Sequence, residues 1–410
     1  MPVLEKLGWA AGLALLAYAP FLSLPLISDD YIQIFLSRAY GPVSGWRDLA
    51  QDVLYRSRAT SLVLTHAVDA WFGIDPTAHR LLSLLVHIAN VGCVALLGNW
   101  KRIGWRVSAP AAVFFAVYEG QQEAVVWSAA LPELLVFFFG VGSLVVWIQG
   151  RPALASGLYV VALLSKESAV AVLPLMAWHW WREERQVPGR WSWLAGMGAV
   201  SAAYAAGIFA AQDHHLHLND GTFSWTAPFW LTLPASMLRL LWIWGLLAVS
   251  FLVLMRRELR TVAFGLGWMA VMLLPYSFLT YMDRVPSRNV YLAGAGLALI
   301  VGSAYAALEE SWGRRLRWLP GAVVLAILVH NLGYLWLKKL DQYERRAEVT
   351  ERFLREAARH EQPITLQCVA YDADVYRYAA ALRLGSPVDR IRPVDQAPDA
   401  AVEYCDPVHP

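Results

Sequence analysis

Long apolar runs separated by short clusters of charge dominate the chain. A bilayer-spanning helix needs about 20 mostly apolar residues. About eleven stretches approach that requirement: Leu7 to Ile27, Arg80 to Leu97, Val107 to Tyr118, Ala124 to Ile148, Ala153 to Leu164, Ala169 to Trp181, Trp191 to Ala211, Pro228 to Met255, Thr261 to Leu279, Val290 to Leu308 and Leu319 to Leu337. The pattern predicts an all-α polytopic membrane protein. In the first run Ala17-Tyr18-Ala19 imitates a signal-peptidase site, but Pro20 follows and the apolar residues continue, so it reads as a retained span. Ala59 to Phe72 has a different pattern: Ser61, Thr65 and Asp69 recur every four positions as one polar stripe, bordered by His66, on an otherwise apolar helix. That pattern predicts a juxtamembrane helix lying on the membrane surface.

Composition agrees, with 58% hydrophobic and only 16% charged residues, where soluble proteins carry about 25%. An ordinary soluble enzyme is excluded, and with a net charge of +2 there is no footprint of a nucleic-acid partner. Basic residues concentrate in alternate loops: Lys101, Arg102 and Arg106; Arg151; Arg182, Arg185 and Arg190; Arg256, Arg257 and Arg260; Arg314, Arg315 and Arg317. The other short connections hold only Lys166, Arg284 and Arg288. The positive-inside rule then puts the N-terminus in the cytoplasm and the C-terminal tail outside a cell (inner) membrane. It also makes 28–79 a long outer loop and 212–227 a second one. Residues 1–337 read as the transmembrane domain and 338–410 as a small external α/β appendage. The appendage comprises a charged amphipathic helix from Lys338 to Arg359, a strand from Ile364 to Val369, a helix from Ala373 to Leu384 and a strand from Val402 to Tyr404. For Cys368 and Cys405 in this tail, free thiols are the favoured reading over a disulfide.

Ionisable residues at the ends of spans are costly and are functional candidates by default. Asp29 and Asp30 follow the first span, Glu119 and Glu123 the third and Lys166 and Glu167 the fifth, while Asp283, Arg284 and Arg288 precede the tenth. The aspartates read either as caps of a following helix or as a carboxylate that takes a proton from an incoming hydroxyl or amine. Lys166, Arg284 and Arg288 are suited to neutralising a phosphate, although Lys166 also reads as a snorkelling lysine. Glu123 is expected to pair with one of these cations or to bind a metal. His214, His215 and His217 read as solvated loop histidines rather than metal ligands, and His79 and His87 as hydrogen-bonding groups at the surface or within the bundle.

Several strings carry a resemblance. SDD after the first span, YRSRATSLVLTHAVDAWFGIDPTAHRLLSLLVHIANV, VFFAVYEGQQEAVVWSAALPELLVFFFG and LLSKESAVAVLPL resemble, in order and spacing, the membrane part of the GT-C-fold glycosyltransferases. The likeness runs in particular to the transmembrane O-mannosyltransferases that in eukaryotes carry TPR repeats, and to bacterial relatives of the protein O-mannosyltransferases. It covers roughly Leu7 to Leu308. YMDRVPSRNVYLAGAGLALI is similar to the later segment where such proteins place an arginine and tyrosines before a span.

The resemblance implies a polyprenyl-phosphate sugar donor, inverting transfer on the outer face of the membrane, and a protein, glycolipid or polysaccharide acceptor. It assigns Asp29 or Asp30 to a catalytic acidic pair, Glu123 to the acidic residue after the third span, and Lys166 with Glu167 to the SKE element. Arg284 would lie near the lipid phosphate, and Arg56, Arg288 and Tyr291 complete the expected substrate-binding set. The sequence departs from the family pattern at Ser57, where a proline is usual after the YR pair. It departs again at Tyr118-Glu119 in place of His-Pro and at Ala130-Leu131 in place of Gly-Arg, although Glu133 is present. A phosphate leaving group needs charge stabilisation more than protonation, so cations would serve it while an aspartate acts as base. A divalent metal ion held by the carboxylates is a further option that no ligand spacing decides. The competing reading is a transporter or lipid flippase. Its sites tend to lie near the midplane, whereas these charges gather at one boundary.

Overall fold

The computed structural model describes residues 3–280, 283–312, 316–393 and 402–406, so Arg314 and Arg315 of the basic set lie outside the described residues. Helices occupy every apolar run. Among the described residues six are long and apolar enough to cross a bilayer, including Pro76–Asn99, Ser128–Ile148 and Arg288–Trp312, and three shorter apolar helices join them: Gly8–Phe21, Trp105–Val117 and Pro152–Leu163. The run from Pro228 to Met255 is not the single span expected from its hydropathy. It forms two helices, Phe229–Leu241 and Trp244–Leu254, bent by 85° at their junction, and counts as a seventh span only if the two are taken together. The break passes through Ile243 at a φ of 56°, a conformation that a β-branched residue adopts only under strain.

Local chemistry explains several element boundaries. The helix Pro76–Leu96 opens on Asp75, whose carboxylate accepts from the Thr77 and Ala78 amides, with proline at the first helical position. The most enclosed helix is Tyr291–Trp312, and small residues let a neighbour approach it closely. A Cβ at Gly265 would sit 2.8 Å from the Gly296 carbonyl oxygen and one at Gly296 2.6 Å from that of Gly265, so here backbone meets backbone.

The polar stripe on helix Ala59–Phe72 is largely covered. Ser61 and Thr65 are buried and accept hydrogen bonds from Gln33 at 3.2 and 3.3 Å. Asp69 takes a two-pronged bond from Arg38 at 2.8 and 2.9 Å. The stripe therefore pins helix Asp30–Tyr40, which follows the paired aspartates, while Trp71 and Phe72 project outward.

The last membrane helix, Leu319–Tyr334, continues through a π-helical turn at Leu335–Lys339 into Leu340–Ala357 without a break at the expected boundary after Leu337. The appendage then forms a parallel three-stranded sheet, β1 (Ile364–Leu366), β2 (Ile391–Pro393) and β3 (Val402–Tyr404), in the order β2-β1-β3. The sequence reading missed β2, which is three residues long and ends in a proline. Cys368 and Cys405 form a disulfide, which corrects the free-thiol expectation. Parallel pairing of β1 with β3 brings their C-terminal ends together, a proximity invisible in a sequence separation of 37. The appendage shares one apolar core with the segment carrying the aspartates, where Leu26, Tyr31 and Ile34 pack with Phe353, Val375 and Tyr376. Phe35 stacks on Tyr378 at 4.2 Å.

Candidate active site

The two adjacent aspartates occupy different environments. Asp30 is fully buried, and its oxygens accept from the Ile27 amide at 2.9 Å and the Ala129 amide at 2.7 Å. Burial pushes its carboxyl up to about 6, with Arg80 and the two amides opposing. Arg80, itself buried, donates to the carbonyls of Leu24, Pro25 and Val126, and the Trp127 indole donates to Ile27 at 3.1 Å. Together these bonds staple the end of the first span to residues 126–129. Asp29 is half-buried, makes no side-chain cap bond to the helix it precedes, and accepts from the Ser28 hydroxyl at 2.9 Å. Ser28 holds a left-handed φ of 47°, the kind of strained backbone that survives only where surrounding structure enforces it. The Asp29 charge is felt at Tyr55 on one side and Tyr371 on the other, and it adds to the burial that raises both phenols.

Glu119, Arg239, Arg284 and Lys339 are the charged walls of a cavity of about 330 Å³. A second, of about 260 Å³, shares Gln122, Arg239, Ser287 and Lys339 with the first and adds Glu123, Arg288 and Arg346. Five cations thus face two carboxylates. Glu123 is the more committed acid: its oxygens accept from the Arg288 amide at 3.1 Å and lie 3.4 and 3.5 Å from the Arg288 and Arg346 guanidinium groups. Both guanidinium groups rest on the Trp127 ring, at 4.7 and 5.0 Å from its centre. Glu119 has no such clamp, and burial raises its carboxyl while Lys339 and Arg239 oppose. The Arg239 guanidinium donates to the Val285 carbonyl at 3.0 Å, and Arg284 is exposed at the rim. The cavity is therefore a net cationic receptacle suited to a phosphate.

Lys166 belongs to a different cluster. It pairs with buried Glu133 and lies 5.0 Å from the Tyr276 ring centre. The Tyr276 hydroxyl donates to Glu133 at 2.7 Å and bonds Ser168 at 2.8 Å. Its neighbour Glu167 accepts from the Ser57 hydroxyl at 2.7 Å. Burial pushes the Glu167 carboxyl up, but Arg58, Lys166 and the Ser57 bond together hold it below its ordinary value.

Of the residues singled out in the sequence, the structure brings Glu119, Glu123, Arg284 and Arg288 to the two contiguous cavities and places Lys166 and Glu167 apart from them. No hydrogen bond or ion pair among the described residues joins Asp29 or Asp30 to Lys166 or Arg284. Arg56 donates to the Gly207 carbonyl at 2.9 Å. Tyr291 is buried in the core, its hydroxyl bonded to His87 at 2.6 Å and Asn90 at 3.2 Å. It lines neither cavity, because its helix turns this residue inward. The histidine loop also differs from expectation: His214 is exposed, but His215 is buried and His217 half-buried. No group of three or more His, Cys, Asp or Glu among the described residues is placed to hold a metal ion. Sequence reasoning missed Arg239 and Lys339. A lone arginine inside the apolar run from Pro228 was the available signal for the first.

No protein-family model matches the sequence, and no curated protein sequence matches it. Solved structures do. The oligosaccharyltransferase AglB from Archaeoglobus fulgidus, in complex with an inhibitory peptide and a dolichol-phosphate, superposes with a TM-score of 0.55 at 10% identity, over 99% of this chain and 64% of that one. ArnT from Cupriavidus metallidurans bound to undecaprenyl phosphate gives a TM-score of 0.50 at 14% identity, over 95% of this chain and 90% of that one. This chain thus spans a little under two thirds of the oligosaccharyltransferase and nearly all of ArnT. It has the GT-C fold of polytopic membrane proteins. The likeness is to that fold as a whole and not to the O-mannosyltransferases in particular.

Proposed function

We propose that the protein is a membrane glycosyltransferase that transfers a sugar, with inversion, from a polyprenyl-phosphate donor to an acceptor at the outer face of the membrane. The observation that carries this reading is the pair of contiguous cavities walled by Arg239, Arg284, Arg288, Lys339 and Arg346. In the reaction the acceptor hydroxyl oxygen forms a bond to the anomeric carbon, the bond from that carbon to the phosphate oxygen breaks, and the electron pair leaves with the lipid phosphate. Arg239, Arg284 and Lys339 stabilise the charge that accumulates on this leaving group. Asp29, whose oxygens are not taken up by backbone amides as those of Asp30 are, receives the hydroxyl proton. Two of the matching structures were solved with dolichol-phosphate and undecaprenyl phosphate, which supports a lipid phosphate as the ligand. The Cys368–Cys405 disulfide supports an oxidising, exterior compartment for the appendage and for the site beneath it.

The 85° break between Phe229–Leu241 and Trp244–Leu254 gives a transporter or lipid flippase its one favouring observation, since discontinuous helices are a device of such proteins. Reconstitution separates the two readings. Sugar transfer from a polyprenyl-phosphate hexose in proteoliposomes, lost in Asp29→Asn, supports the transferase. Lipid or solute translocation that persists in Asp29→Asn, with no transfer by the native chain, overturns it.

A further inference from the structure

The loop 212–227 is strapped over a polar cluster that the cationic cavities do not include. Its far end is fastened by an antiparallel bridge between Phe223 and Leu279, by the Ser224 amide to the Phe278 carbonyl at 3.0 Å, and by the Thr280 amide to the Thr222 carbonyl at 2.9 Å. The fastened loop presents His215 and His217 to Arg58 at the end of the Tyr55–Arg58 turn and to Glu167, while Tyr204 approaches from helix Arg190–Phe209.

Four side-chain atoms in this cluster are buried without a hydrogen-bond partner: Nε of Arg58, the Tyr204 hydroxyl, Nδ1 of His215 and Nδ1 of His217. His215 as a whole is only 6% exposed. Leaving a buried polar atom without a partner is costly, and four of them, from the Tyr55–Arg58 turn, the helix Arg190–Phe209 and the fastened loop, mark a place built to receive hydrogen bonds. Burial, then the Arg58 charge, lowers the affinity of His217 for a proton to a pKa of about 4. Burial lowers His215 in the same direction, against the pull of Glu167. Both rings are therefore neutral at physiological pH, each offering one donor and one acceptor. The charges that act on them oppose one another: Arg56 and Arg58 against Glu167 and Asp220. An anion would meet the two carboxylates and a cation the two bases. What fits is a neutral group with donors and acceptors at close spacing.

We infer that Arg58, His215 and His217 form a subsite for the hydroxyl groups of a neutral sugar ring, separate from the cavities that take the phosphate. The inference rests on the glycosyltransferase reading above and deepens it. The ring belongs either to the donor or to a carbohydrate acceptor, and the two are told apart by which substrate loses affinity.

The experiment uses the full chain in nanodiscs with three probes: undecaprenyl phosphate, its glucosyl and mannosyl conjugates, and methyl glucoside and methyl mannoside as lipid-free sugars. The variants are His215→Phe and His217→Leu, singly and together, with Arg284→Gln as the contrast. The native chain binds at least one sugar-bearing probe. The double variant weakens that binding about tenfold, the equivalent of roughly one lost hydrogen bond in a buried site, and leaves undecaprenyl phosphate binding unchanged. Arg284→Gln weakens the binding of undecaprenyl phosphate and of its conjugates alike and leaves the lipid-free glycosides unchanged. Selective loss for the conjugates assigns the ring to the donor, and selective loss for the free glycosides assigns it to the acceptor. Equal binding of every sugar probe by the native and double-variant chains, with thermal midpoints unchanged, means that water alone satisfies these atoms and overturns the subsite. If the native chain binds no undecaprenyl phosphate, the phosphate-cavity reading fails, whatever the histidine variants do.

Discussion

Two walls of the larger cavity should respond to neutralisation with opposite signs. Arg284 has no ion-pair partner among the described residues, and Glu119 is the one carboxylate among the residues lining that cavity. With a volume of about 330 Å³, a centred phosphate lies about 6 Å from each wall charge, and a unit charge at that distance in an effective dielectric of about 20 contributes about 3 kcal/mol before screening. Arg284 is exposed, so solvent reduces its share to about 1 kcal/mol. Arg284→Gln should thus weaken binding of a glycosyl phosphodiester about fivefold, and Glu119→Gln, which removes a less exposed charge, should strengthen it by at least that factor. Titration of a polyprenyl phosphodiester sugar into the nanodisc-held chain at about 50 and 300 mM salt measures both, and the two effects should shrink together at the higher salt. Such a phosphodiester keeps one negative charge across the working range, whereas the raised Glu119 carboxyl is neutralised early on acidification. Native affinity should therefore climb as pH falls, and that of Glu119→Gln should stay level. A loss of affinity in Glu119→Gln, or shifts of the same sign in both variants, would refute the phosphate assignment.

The paired aspartates should divide by phenotype. Asp29→Asn should lower turnover by at least about 100-fold with an unchanged melting point, and Asp30→Asn should destabilise the fold by about 1–3 kcal/mol because its amide group faces a backbone donor. Thermal scans and transfer rates on both variants decide this. Because burial raises the folded-state pKa of Asp30 to about 6, its contribution to stability is present below the unfolded value of about 4 and is lost as pH rises through about 6. The native melting point should fall across that window while Asp30→Asn stays flat. Lys166→Met should cost about 3–5 kcal/mol by stranding Glu133, and the double variant with Glu133→Leu should recover most of it, as read by a double-mutant cycle of melting points. Mild reduction of the native chain should expose Cys368 and Cys405 to a membrane-impermeant maleimide added from outside intact cells, and labelling only after lysis would reverse the proposed orientation.

The spans were legible because bilayer solvation imposes a length and a polarity that single residues cannot disguise. The break at Ile243 was not, since the run stays apolar on both sides of it. In the site, Arg284 and Arg288 stood out as charges beside a span, and both line the cavities. Lys166 carried the same signal but lies elsewhere, because its partner Glu133 is one helix away and 33 residues earlier. Arg239 and Lys339 went unnoticed because they lie within or just beyond apolar helices, and only folding turns them toward the cavity. The pairing of Cys368 with Cys405 likewise depends on strand order, which spacing does not encode.

The 39-residue helix from Leu319 to Ala357 is a continuous strut of about 58 Å at 1.5 Å per residue. Its lower part is embedded in acyl chains, its middle supplies Lys339, and its upper part is clamped into the sheet-bearing appendage. A rod held at both ends relays tilt, so a thicker or thinner membrane would swing the lysine relative to Arg239 and Arg284. The lipid environment thereby becomes a variable of this site, and activity measured in one bilayer does not transfer unexamined to another.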